Sequence, residues 1–190
     1  MILDRACAWQ GDAPKLPAGI VARVEPERPT VTASGTILLS VVIENTTDQP
    51  AILAVETSWG GLGLGLGPGM GGETIANAET PGVLARTEDL LGNELDEPKL
   101  KTRVAMLGVI TKPALARVEL APHGTLKARV RWRPQGYLPG KDYDAKVRVH
   151  QGMIDIPPPD PLPKGRYRVR VLLPIPGLSA RSVDVTVTGR

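Results

Sequence analysis

Phenylalanine is absent from these 190 residues, aromatic side chains make up only 3% of them, and Cys7 is the single cysteine. A core without Phe has to be filled by Val, Leu, Ile and Ala, with Trp9, Trp59 and Trp132 as the few large anchors, which favours aliphatic sheet packing. One cysteine excludes an internal disulfide, which fits a reducing compartment. The two histidines, His123 and His150, belong to no spaced cluster with Cys, Asp or Glu, so no metal site is expected. No stretch reaches the roughly 18 consecutive apolar residues of a membrane-crossing helix. Gly-x-Ser-x-Gly is missing, and no Gly-Lys-Ser/Thr phosphate loop is present. Gly67-Pro68-Gly69-Met70-Gly71-Gly72 has the letters of a dinucleotide fingerprint, but Pro81 closes off the place where a helix should run, and no βαβ pattern surrounds it. The expectation is therefore a protein that is not an enzyme, with no cofactor and no small-molecule substrate.

What the chain does have is strict alternation of cations and apolar residues. In Lys127-Ala128-Arg129-Val130-Arg131-Trp132-Arg133 and in Arg166-Tyr167-Arg168-Val169-Arg170-Val171 every second side chain is basic. A period of two sends successive side chains to opposite faces of a strand, so each segment predicts a β-strand with an apolar face inward and a cation row facing water. Ala145–Gln151 repeats the pattern with Lys146, Arg148 and His150. These cations are the candidate partner-binding residues. Their plainest role is to keep an outer sheet face polar, and an acidic protein surface is the partner class they fit best. Nucleic acid is not expected, because the only interleaved aromatics, Trp132 and Tyr167, fall on the inward side. Charge is also polarised along the chain: residues 1–120 hold ten basic and fifteen acidic side chains, residues 121–190 thirteen and five. Such polarity suits head-to-tail contact between copies.

Further strands are predicted at Ile20–Glu25, Thr36–Glu44, Ala51–Thr57, Arg103–Ile110, Ala116–Leu120 and Val183–Thr188, and one helical turn at Thr87–Leu91. In Thr36–Glu44, Ile37, Leu39, Val41 and Ile43 share one face. The glycine tract from Gly60 to Gly72 reads as a partner-ordered loop whose Leu62, Leu64, Leu66 and Met70 are candidate interface residues, and the proline run Ile156–Pro163 as a stiff connector. About nine strands without a long helix predict an all-β fold, an antiparallel sandwich with Gly-rich and Pro-rich insertions. The reading is an N-terminal extension, 1–19, and one domain, 20–190, interrupted at 59–112 and 134–161.

Three pieces carry a resemblance: Ser34-Gly35 with Leu39 through Pro50, Leu120-Ala121-Pro122-His123-Gly124-Thr125 with Trp132, and Leu162-Pro163-Lys164-Gly165-Arg166-Tyr167-Arg168-Val169. Together they resemble the bacterial intracellular proteinase inhibitor family and related immunoglobulin-like adhesion and scaffold domains. The resemblance implies an immunoglobulin-like sandwich in which Asn45 ends a strand, Pro122-x-Gly124 opens the strand of a buried Trp132, and Pro163-x-Gly165-x-Tyr167 opens another. It also implies that these last two strands lie in different sheets, with their cation rows turned apart.

The reading that follows is a protein-binding or scaffold subunit, with a protease inhibitor acting through an exposed loop as the alternative. An inhibitor needs a stiff loop, which a glycine tract does not supply. The opening Met1-Ile2-Leu3-Asp4-Arg5 lacks the apolar core of a signal peptide, so the cytoplasm is the expected compartment. A lipidated cell-envelope chain anchored at Cys7 would require an upstream hydrophobic segment.

Overall fold

The computed structural model describes residues 15–56, 84–98, 115–150, 153–178 and 181–189. The expected strand Arg103–Ile110, the glycine tract with Leu62, Leu64, Leu66 and Met70, and Cys7, Trp9 and Trp59 lie outside these residues. The strands are, in chain order, β1 Ile20–Pro26, β2 Thr30–Thr32, β3 Ile37–Asn45, β4 Ala51–Glu56, β5 Leu84–Glu88, β6 Leu115–Leu120, β7 Thr125–Trp132, β8 Gln135–Gly136, β9 Arg148–His150, β10 Met153–Asp155, β11 Asp160–Pro161, β12 Gly165–Leu172 and β13 Arg181–Thr188. No α-helix occurs among the described residues, nor any helix long and apolar enough to cross a membrane.

The fold is all-β, with antiparallel and mixed sheets. β1-β3-β7 form a three-stranded antiparallel sheet, and β2-β13-β12-β5 a four-stranded one in which β2 runs parallel to β13. Alternation dictates both. Ile37, Leu39, Val41 and Ile43 of β3, with Ala128, Val130 and Trp132 of β7, are buried together with Tyr167, Val169 and Val171 of β12 and Val185 and Val187 of β13 in one core cluster. The two sheets are thus layers over a shared core of mostly aliphatic side chains.

Where β3 and β7 stop, the chain turns on both sides and pairing resumes as β4 with β6, Ala51 opposite Leu120. Asn45, fully buried, joins the two corners. Its Nδ2 donates to the carbonyls of Gln49 (2.7 Å) and Ala121 (3.0 Å), while its Oδ1 accepts from the Thr47 amide (3.1 Å) and hydroxyl (2.7 Å). Every polar atom of the side chain is engaged, as a buried amide requires.

Two local expectations are corrected. Thr87 does not cap a helical turn. Leu84–Glu88 is instead a strand pairing antiparallel with β12, Glu88 opposite Arg168 and Leu84 opposite Leu172. A single isolated helical turn is costly to nucleate, whereas the edge of β12 supplies a ladder at once. Ala145 does not begin a strand either: Asp144–Lys146 form a 3-10 turn, with the Lys146 amide donating to the Tyr143 carbonyl (3.0 Å), and extended structure starts at Arg148. Both segments read as insertions contribute to the body, Leu95 to the shared core and Tyr137 and Tyr143 as buried side chains that tie down their own loop.

Candidate functional site

The cation rows fall on different sheets. Because the inward sides of β7 and β12 meet in the same core, their outward sides face away from each other. On β12, Arg166 and Arg168 are exposed and share Asp184 of the neighbouring β13, at 2.8 and 3.5 Å. Arg170, half-buried, reaches Glu88 and Glu94, each at 2.6 Å. This row is an in-sheet charge ladder whose cations are held by carboxylates of the same molecule.

On β7, Lys127, Arg129 and Arg131 are exposed and share one outward face, with Arg133 exposed just beyond the strand. Across the ladder they stand opposite Val42, Ser40 and Leu38 of β3. Lys146 is exposed on the 3-10 turn, and Arg148, exposed, opens β9 opposite Asp155, so the two do not continue either row.

The 134–161 segment is clamped at its base. The Tyr143 hydroxyl donates to Asp160 (2.7 Å) and accepts from the Leu138 amide (2.8 Å), Tyr137 donates to the Pro157 carbonyl (3.0 Å), and the two rings meet edge to face at 5.0 Å. The hydrogen bond from Tyr143, with Lys141 at 3.2 Å, holds the Asp160 carboxyl below its usual range.

A second polar cluster joins the layers. Trp132 Nε1 donates to Thr87 Oγ1 (2.9 Å) across the core, the Thr87 amide donates to Asp96, and the Thr87 hydroxyl lies 3.4 Å from the other Asp96 oxygen. Burial pushes the Asp96 carboxyl up to about 6, against the Thr87 amide and the positive charge of Arg86. A cleft of about 50 Å³ opens here, bordered by Asp96, Thr87, Trp132, Arg131, Arg133 and Gln135. Sites that enclose small organic ligands run to roughly 300 Å³ or more. Among the described residues no three His, Cys, Asp or Glu side chains gather as metal ligands.

Sequence reasoning missed Asp96, Thr87 and the turn after β5. In that turn Asp89 accepts from the amides of Leu91 (2.9 Å) and Asn93 (2.8 Å) and from Asn93 Nδ2 (2.7 Å), leaving Leu90 and Leu91 exposed at its tip. The spacing of Asp89, Gly92 and Asn93 was the available signal. Nothing local marks Asp96, whose setting depends on the neighbouring strand.

The sequence matches no protein-family model and no curated protein. Among solved structures it is similar to a β-glucosidase from Erythrobacter marinus, at 12% identity over 89% of this chain and 16% of that one, TM-score 0.38. A β-glucosidase from Listeria innocua stands at 11% identity, 90% and 16% coverage and TM-score 0.35. An alkylpurine DNA glycosylase from Pseudomonas fluorescens stands at 11%, 87% and 30%, with TM-score 0.34. This chain spans a small fraction of each, and likenesses at these scores carry no argument about its activity.

Proposed function

We propose that this chain is a non-enzymatic, immunoglobulin-like protein-binding or scaffold module that assembles with copies of itself, or with an acidic partner chain, through the outer face of the β1-β3-β7 sheet. Support for the immunoglobulin-like frame comes from the two-layer core and from the Tyr167 hydroxyl, which donates to the Pro163 carbonyl (2.9 Å) where β12 begins, as in a tyrosine corner. These features also agree with the resemblance to the intracellular proteinase inhibitors and scaffold domains.

The observation that carries the binding reading is the β7 row. Lys127, Arg129 and Arg131 are three exposed cations at alternate positions of one strand. They stand roughly 7 Å apart along it, and a positive row of this kind is complementary in charge to an acidic protein surface. On β12, Asp184, Glu88 and Glu94 hold the cations in an in-sheet ladder. Only the resemblance favours an inhibitor: the exposed turn at Leu90 and Leu91 is closed by the Gly92 amide on the Asp89 carbonyl (3.1 Å) rather than extended for a protease cleft.

The test is light scattering at low salt on two variants. Lys127→Glu with Arg129→Glu and Arg131→Glu is expected to reduce the assembly to monomers, while Arg166→Gln with Arg168→Gln leaves the wild-type mass. Wild-type mass in both variants would remove the β7 face from the account.

A further inference from the structure

Leu90 and Leu91 are the most exposed large hydrophobic side chains among the described residues, at 64% and 88%. Neighbouring leucines left in water form an apolar patch that a partner surface can cover. The turn that carries them is closed on its own backbone, the Gly92 amide donating to the Asp89 carbonyl (3.1 Å) and the Asp89 amide to the Asn93 carbonyl (3.0 Å), and the Asp89 carboxylate accepts the Leu91 and Asn93 amides inside it. Gly92, at a φ of 81°, supplies the left-handed residue that this closure needs. The two leucines are therefore held on a pre-set tip, and binding through them orders little further chain.

The surroundings of the tip select the chemistry of its partner. Residues 88–97 hold Glu88, Asp89, Glu94, Asp96 and Glu97 and no Lys or Arg. Glu94 bridges Glu88 at the base of the turn, and the Glu94 and Glu97 side chains are exposed while pairing within the molecule, Glu94 with Arg170 at 2.6 Å and Glu97 with Arg86 at 2.8 Å. An apolar tip on an acidic base is complementary to a surface with apolar side chains beside a cation row. This chain carries such a surface. On the outward face of β1-β3-β7, half-buried Leu38 and Ser40 of β3 stand opposite exposed Arg131 and Arg129 of β7, with Lys127 next along the row.

Resting on the β7 reading above, we propose that the Leu90–Leu91 tip of one copy docks on this face of a second copy, the leucines against Leu38 and the carboxylates of Glu94 and Glu97 toward Lys127, Arg129 and Arg131. Tip and face are different surfaces of the chain, so the contact is heterologous, each copy offering its tip to one neighbour and its face to another.

The test mixes two variants at low salt and reads the mass by light scattering. Leu90→Ser with Leu91→Ser removes the tip at positions outside the core, and Lys127→Glu with Arg129→Glu and Arg131→Glu inverts the face. Each variant alone is expected to associate at least roughly tenfold more weakly than the wild type. Their equimolar mixture is expected to give a 1:1 dimer, because the intact tip of the face variant meets the intact face of the tip variant. Wild-type assembly in the tip variant, with the face variant monomeric, overturns the tip as the occupant and leaves the β7 reading in place. Wild-type assembly in both variants overturns the contact and that reading together, as does a wild type that is itself monomeric for self-assembly. Two monomeric variants whose mixture stays monomeric overturn the pairing of tip with face. Should the glutamate variant not fold, Lys127→Gln with Arg129→Gln takes its place.

Discussion

Thr87 is buried and carries bonds in three directions, from Trp132 to its hydroxyl and from its amide and hydroxyl to Asp96. Thr87→Val keeps the shape and strands the indole N–H in the core, at a cost of about 1–3 kcal/mol in urea unfolding. Trp132→Phe removes the donor as well as part of a buried ring. The double variant is expected to lose less than the sum of the two single losses, because the orphaned donor is gone, and simple additivity would show that the bond contributes nothing. At this scale legibility is uneven. That Trp132 points inward is readable from its place in the alternation, while the exposure of Asp96 depends on how a distant strand lies against it, and no local pattern encodes that.

β12 shows what a strand needs beyond alternation. It enters the sheet through Gly165 and Tyr167, whose hydroxyl bond to Pro163 fixes the corner, and Tyr167→Phe is expected to destabilise the chain by about 1 kcal/mol while leaving the fold intact. Gly136 on β8 is a sharper constraint. A Cβ there would lie 2.9 Å from Leu95 Cβ, 3.0 Å from Leu162 Cδ2 and 3.1 Å from the Leu95 carbonyl oxygen. Gly136→Ala is therefore expected to cost about 1–3 kcal/mol, read as a lowered urea midpoint. An unchanged midpoint would mean that the Leu95 backbone gives way freely. The long strands were legible because period-two burial runs through Thr125–Trp132 and Gly165–Leu172 and, broken only where Val42 is also buried, through Ile37–Asn45. β5 was not, since five residues with Arg and Glu at alternate positions look like a polar loop until β12 offers an edge. β2, at three residues, owes its existence to pairing with β13.

At the scale of the molecule, two layers over one core set the outward faces apart and place the cations in two rows, one on β12 and one on β7. Alternation made both rows visible in the sequence; the carboxylates that meet β12 come from β13, β5 and the turn beyond it, a juxtaposition only the topology creates. The binding reading rests on the β7 face, and charge-driven association weakens as salt screens it over roughly 10 Å at 0.1 M. The decisive measurement is the mass of the purified chain by light scattering at low and at high salt. Assembly at low salt that dissociates at high salt is the predicted result, and a monomer at both would contradict it.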